Sequence, residues 1–145
     1  MTIQAILLPL FVQVGLTFFL GFWMATERRG VFRRGELHWR DIALKQTPWP
    51  GRAQQVSQAF QNQFEAPVLF YVLVVLALAT KKADFAFVIM EWLFVASRVA
   101  QAFVHTTSNH VPTRGQLYML GVIVLFLMWA IFAIRILFPS AFGAL

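Results

Sequence analysis

Cysteine is missing from the chain. Neither a disulfide nor thiolate chemistry can come from the protein itself, so any reactive sulfur has to arrive with a ligand. Charge is scarce too: Asp, Glu, Lys and Arg make up 12% of the 145 residues, against about 25% in soluble domains. With six acidic residues and three histidines, the donor set for a metal is thin. His38 stands alone and reads as a surface histidine. His105 and His110 are five apart with no carboxylate at ligand spacing, which argues against a metal centre. There is no glycine-rich phosphate loop, and Ser97 and Ser108 lack triad companions.

What the chain has in abundance is hydrocarbon. It is 59% hydrophobic, with a mean hydropathy of +0.68. Apolar runs fall at residues 3–25, 66–80, 85–104 and 117–138, near the ~20 residues needed to cross a ~30 Å hydrocarbon layer. A soluble helix alternates apolar and polar faces, and residues 68–79 do not. The pattern predicts an all-α integral membrane four-helix bundle in one domain, 1–145. Its spans are expected at about 3–25, 58–80, 84–106 and 113–138, with a basic loop over 27–52.

The formal net charge is +6, but the bases are not spread as a nucleic-acid face would spread them. Arg28, Arg29, Arg33, Arg34, Arg40, Lys45 and Arg52 all fall in the first inter-span loop. The positive-inside rule makes that loop cytoplasmic and puts both termini on the other side, with Lys81 and Lys82 as a far-side minority. Attraction to anionic lipid accounts for the cluster first, a bound anionic ligand second. The first run has no preceding base and no small-residue cleavage pattern, and is expected to be a retained span. Within it Pro9 predicts a kink, Gly15 and Gly21 predict close helix approach, and Trp23 predicts an interfacial anchor. The loop is expected to lie along the headgroups, partly helical, up to the stop at Pro48-Trp49-Pro50-Gly51.

Polar residues inside the apolar runs carry the functional signal. Residues 66–80 cover only about 22 Å at ~1.5 Å per residue, so the residues just before them, Gln61 to Glu65, must also lie at hydrocarbon depth. Steps of three, four and seven place Gln54, Gln58, Gln61, Asn62 and Glu65 in one helical sector, which cannot face lipid. On the third span Glu91, Arg98, Gln101 and His105 form a stripe that Asn109 would extend if the helix reached it. Depth counting puts Arg98 about 9 Å and Glu65 about 6 Å inside the same edge, so a Glu65–Arg98 ion pair is expected, at the least as a device that fixes helix register. Glu91 lies nearer the bilayer centre and either carries a proton or is reached by a cation such as Arg135. Pro67 frees a carbonyl near Glu65. Pro112 opens the fourth span, so Arg114 adds its charge to the positive end of that helix.

Asn62, Glu65, Arg98, Gln101, His105, Arg114 and Tyr118 thereby gather at one depth. A greasy-walled pocket with guanidinium, imidazole and phenol donors suits a small anionic ligand beside an apolar one. Nearby positive charge also favours a bound thiolate.

The string Asn62-Gln63-Phe64-Glu65-Ala66-Pro67, then Arg98-Val99-Ala100-Gln101, then Arg114 and Tyr118, resembles the membrane-associated proteins in eicosanoid and glutathione metabolism, the MAPEG family. By motif the likeness covers residues 58–118, and by the layout of four spans and a basic first loop it covers the whole chain. His105-Thr106-Thr107-Ser108-Asn109 is most similar to a bacterial branch without an assigned activity, which implies a bacterial inner membrane. The resemblance implies a homotrimer with glutathione as co-substrate, bound between neighbours near the cytoplasmic side. Asn62 and Glu65 would then belong to the ligand motif, and Arg98 would be the structural and binding arginine. Arg114 would be the catalytic residue that stabilises the thiolate, with Gln101, His105 and Tyr118 against the ligand. The expected activity is that of a glutathione transferase or peroxidase on apolar substrates. The chain departs from glutathione-using members at Gln61, where they often carry arginine, and at Gln101, His105 and Gly115, which replace histidine, tyrosine and serine. These changes remove or soften several glutathione contacts. The alternative is a non-enzymatic lipid-binding or accessory subunit of a membrane complex, with the polar stripes as packing glue.

Overall fold

In the computed structural model of the chain, residues 1–43 and 48–142 are described; Lys45 of the basic cluster lies outside them. Helix α1 spans Ile3–Arg33, and the Thr2 hydroxyl accepts a hydrogen bond from the Ala5 N–H at 3.2 Å. Pro9 sits inside α1 without ending it. The helix runs on past the apolar stretch through Glu27 to Arg33, so the first part of the expected loop is helical. Glu and Arg are good helix formers, and the helix stops only where Gly35 takes a φ of +71°. The Gly35 and Glu36 N–H groups then bond back to the Phe32 and Val31 carbonyls, the glycine-dependent helix end in which the first left-handed residue closes the last turn.

A short α2 (Trp39–Ala43) folds back on α1, with the Trp39 ring stacked on Phe32 at 4.5 Å and Trp49 edge-on to it at 5.6 Å. Val31, Leu37 and Ala53 bury themselves beneath. Helix α3 (Gly51–Gln61) leads into a 3-10 turn at Asn62–Phe64 and then α4 (Ala66–Ala79). These pieces together make one rod, and the others are α5 (Phe85–Thr106) and α6 (Val111–Leu137). Among the described residues four rods are thus long and apolar enough to cross a membrane, and no strand occurs.

Helix α5 is the most buried rod. Its Phe94 stacks on Phe70 of α4 at 4.7 Å, inside a core with Leu73, Val74, Val95, Leu125 and Met128. The outer faces carry Phe11, Phe18, Phe126 and Ile123, all exposed, as a lipid-facing surface requires. A Cβ on Gly21 would lie 3.0 Å from the Phe60 ring, so there the expected close approach is real. Around Gly15 nothing lies within 4 Å, and there it is not. Among the described glycines the closest approach is that of Gly121 of α6 to Ser97 of α5, where a Cβ would come 2.7 Å from the serine oxygen.

The far end is tied by a polar latch. Asp84 caps α5 by accepting from the Phe87 N–H at 2.9 Å. Its other oxygen pairs with Arg135 at 2.8 Å, and Arg135 also donates to the Lys82 carbonyl. Burial pushes the Asp84 carboxyl up, but the Arg135 guanidinium and the Phe87 amide outweigh burial and hold it below its usual range.

Candidate functional site

The site is organised by the interruption in the second rod. Pro67 has no N–H to continue a helical ladder, and the chain before it tightens into the 3-10 turn, with Glu65 at φ −97° and ψ −106°. The turn leaves the Asn62 carbonyl able to accept from the Arg98 Nη2 of α5 at 3.0 Å. Arg98 is 1% exposed, and its guanidinium carbon stands 5.5 Å from the centre of the Tyr118 ring of α6. The Tyr118 hydroxyl in turn donates to Glu65 Oε2 at 3.3 Å.

This arrangement corrects the expected Glu65–Arg98 ion pair, which is absent among the described residues. The two groups are joined through the phenol instead. The helix break turns the Glu65 carboxylate outward, so Arg98 takes a main-chain oxygen from the same turn. Glu91 is fully buried and neither of its oxygens has a partner. Arg135, the cation considered for it, is engaged by Asp84.

Helix α5 ends at Thr106 and does not carry its stripe as far as Asn109, which has a φ of +50°. Asn109 nevertheless reaches the site from the turn, because its Oδ1 accepts from Arg114 Nη1 at 2.7 Å. His105 is buried between two amides. Its Nε2 lies 3.3 Å from Gln58 Oε1 and its Nδ1 lies 3.4 Å from Asn62 Nδ2. A neutral ring donating from Nε2 to Gln58 and accepting at Nδ1 from Asn62 satisfies both contacts.

Between α3, the turn, α5 and the start of α6 lies an open hollow of about 440 Å³, lined by Gln58, Gln61, Asn62, Glu65, Gln101, His105, Arg114, Gly115 and Tyr118. Six of the seven residues singled out from the sequence border it, and Arg98 stands behind the Tyr118 ring. The hollow puts one carboxylate and one guanidinium on a single rim, with imidazole, amide and phenol groups between them. The α6 N-terminus, with Pro112 in its first turn, contributes its own partial positive charge. Such a cavity can hold a small ligand bearing both signs of charge and can stabilise an anion beside Arg114.

Gln58 and Gln61 also border a second hollow of about 390 Å³ on the other side of α3. There Arg28 donates to the Ser57 hydroxyl at 3.1 Å and lies over the Trp49 ring at 4.6 Å.

One polar contact escaped the sequence reading. Gln13 of α1 donates to Gln63 Oε1 at 2.8 Å in the bundle interior, and Gln63 donates to the Ala59 carbonyl at 2.9 Å. The signal was Gln13 itself, an amide deep in the first apolar run. Its partner could not be found by spacing, because the 3-10 turn aims Gln63 inward and leaves Glu65 outside.

A model of the MAPEG family matches residues 6–134. Comparisons with curated proteins and with solved structures return no match.

Proposed function

The chain belongs to the MAPEG family of membrane four-helix bundles, and on that footing we propose that its hollow binds glutathione or a similar small anionic thiol and directs the sulfur at apolar electrophiles or peroxides. The observation that carries this reading is the shared rim of Glu65, Tyr118, His105 and Arg114 around one cavity at the end of α6. The Glu65 carboxylate suits an ammonium group and Arg114 suits an anion. A volume of about 440 Å³ falls within the ~300–1,000 Å³ range of small-ligand sites.

In the proposed reaction the thiol releases its proton to water, and the thiolate is held by the Arg114 guanidinium and the α6 N-terminus. In a transfer, the sulfur forms a bond to the electrophilic carbon of a lipid-dissolved substrate, and the displaced group leaves with the electron pair. In a reduction, the sulfur takes the terminal peroxide oxygen as the O–O bond breaks, the alkoxide takes a proton from water and leaves as an alcohol, and a second thiol displaces the oxygen from the resulting sulfenic acid as water to give the disulfide. Arg98 and Asn62 act as positioning residues, since their mutual bond fixes the turn that presents Glu65.

A homotrimer is part of the proposal. Gln58, Gln61 and Glu65 are exposed on a single chain, and polar groups at hydrocarbon depth require cover. A neighbouring copy supplies it and completes the pocket.

The test is glutathione titration in nanodiscs, following the thiolate absorbance of wild type and Arg114→Ala. Wild type is expected to bind and develop the band, and Arg114→Ala to bind more weakly without it. Absence of binding by the wild type overturns the catalytic reading. A second reading, a non-enzymatic lipid-binding or accessory subunit, draws on Arg114 being held by Asn109 and His105 by two amides. It requires pocket substitutions to alter assembly and leave turnover nil throughout, and purified protein that processes a glutathione-dependent substrate rules it out.

A further inference from the structure

The charges around the hollow discriminate among thiols. Glu65 and Arg114 are the charged residues on its wall, and Arg98 stands behind the Tyr118 ring, 1% exposed. His105 holds a neutral ring between its two amides. One carboxylate against two guanidiniums leaves the region with a single positive charge. Arg28 is turned away from it, since it lines the hollow on the other side of α3 and is engaged there by Ser57 and Trp49.

The rest of the wall is neutral and rich in carboxamide. Gln58 and Asn62 are committed to His105. Gln61 is exposed and enters no side-chain hydrogen bond among the described residues. Gln101 is buried, and its carbonyl oxygen has no partner. An unpaired acceptor beside a cavity is satisfied by an N–H or O–H group and repels a carboxylate.

Glutathione as its thiolate carries one ammonium, two carboxylates and the charge on sulfur, a net of two negative charges. Glu65 can take the ammonium and Arg114 the sulfur, and both carboxylates are then left without an accessible guanidinium. A charged group drawn into such a cavity gives up water and gains only neutral dipoles. A thiolate with one ammonium and one carboxylate carries a single net negative charge, which matches the single positive charge of the region. We propose that the hollow prefers thiols bearing an ammonium and no more than one carboxylate, with carboxamide or hydroxyl groups in place of a second acid, over glutathione itself. This narrows the thiol reading and rests on it.

Calorimetry on the intact protein in phosphatidylcholine nanodiscs tests the preference. The two probes are glutathione and the same tripeptide with its glycine carboxyl converted to a carboxamide, which differ by one charge. The carboxamide is expected to bind about ten-fold more tightly, the cost of one charged group left unpaired. Gln61→Arg supplies the missing guanidinium and should bring the two ligands to about equal affinity, while Gln61→Glu should widen the ratio. Gln4→Arg adds the same charge at the exposed start of α1 and should leave the ratio unchanged. Equal binding of the two ligands by wild type, or tighter binding of glutathione, requires a cation that this chain does not place on the hollow; it overturns the preference and leaves the thiol reading standing. A wild-type ratio in both Gln61→Arg and Gln61→Glu, with the carboxamide still bound, also overturns it. If neither ligand binds wild type, the thiol reading falls and the preference falls with it.

Discussion

Gly121→Ala presses on a close approach between α5 and α6, and the structure fixes what should give way. The new Cβ would stand 2.7 Å from Ser97 Oγ, while Arg98 Cδ and the Phe94 ring lie at 3.7 and 3.8 Å, ordinary contact distances. The serine cannot simply turn aside, because its hydroxyl donates to the Phe94 carbonyl at 2.6 Å and is buried. Overpacking of this kind costs about 1–3 kcal/mol, and replacing a helical glycine by alanine returns up to about 1 kcal/mol. A net loss of about 0–2 kcal/mol is therefore expected for Gly121→Ala. Ser97→Ala alone removes one intrahelical hydrogen bond, of about 0.6 kcal/mol in membrane bundles. The double variant has no oxygen to clash with and keeps the alanine's helix preference. It should be close to wild type, giving a favourable coupling of about 1–3 kcal/mol in a double-mutant cycle. Unfolding in mixed micelles, followed by tryptophan fluorescence, measures all three. If the double variant is as destabilised as the sum of the singles, Gly121 is not there to admit the serine, and the α5–α6 spacing that sets Arg98 against Tyr118 has another origin.

Gln13→Leu should cost about 1–3 kcal/mol, by leaving the buried Gln63 carbonyl oxygen unpaired, while Gln13→Leu/Gln63→Leu should recover much of it; the same unfolding assay distinguishes them. The folded-state acidity of Asp84 lies below its unfolded value, so its latch contributes stability above about pH 4 and loses it as pH falls through the unfolded and then the folded value. Thermal unfolding of Asp84→Asn should accordingly be flatter than wild type on the acid side and lower near neutrality, and parallel curves would contradict the latch. Tyr118→Phe removes the donor to Glu65 and should weaken the proposed glutathione binding by about 2–12-fold, read by calorimetry against Tyr118→Leu, which also strips the ring from Arg98.

The fold was legible because its determinants are local. Apolar runs of bilayer length, a Thr and an Asp as helix caps, and Pro112 in a first turn are all decided within a few residues. The extent of α1 was less so. Hydropathy bounds the first span at residue 25 and leaves open which part of the following loop is helical; Glu27 to Arg33 keep helical dihedrals until Gly35 supplies the left-handed residue. Lipid exposure and helix formation are separate questions, and hydropathy answers only the first.

The residues that border the hollow were legible in the sequence and their mutual contacts were not, and the cause is one turn of backbone. Depth counting on an unbroken helix brings Glu65 and Arg98 to nearly the same level and predicts that opposite charges join. The 3-10 turn before Pro67 changes the angular position of every residue after Gln61, which sends Gln63 to the interior and Glu65 to the rim. Arg98 then satisfies part of its guanidinium with a main-chain oxygen, and a neutral phenol mediates to the acid. A consequence for chemistry follows. A carboxylate locked into an ion pair with Arg98 would have little capacity for a cationic ligand group, whereas one holding only a 3.3 Å bond from Tyr118 keeps most of its lone pairs available at the mouth of the hollow. The same break that spoils the spacing argument thus leaves Glu65 free to bind.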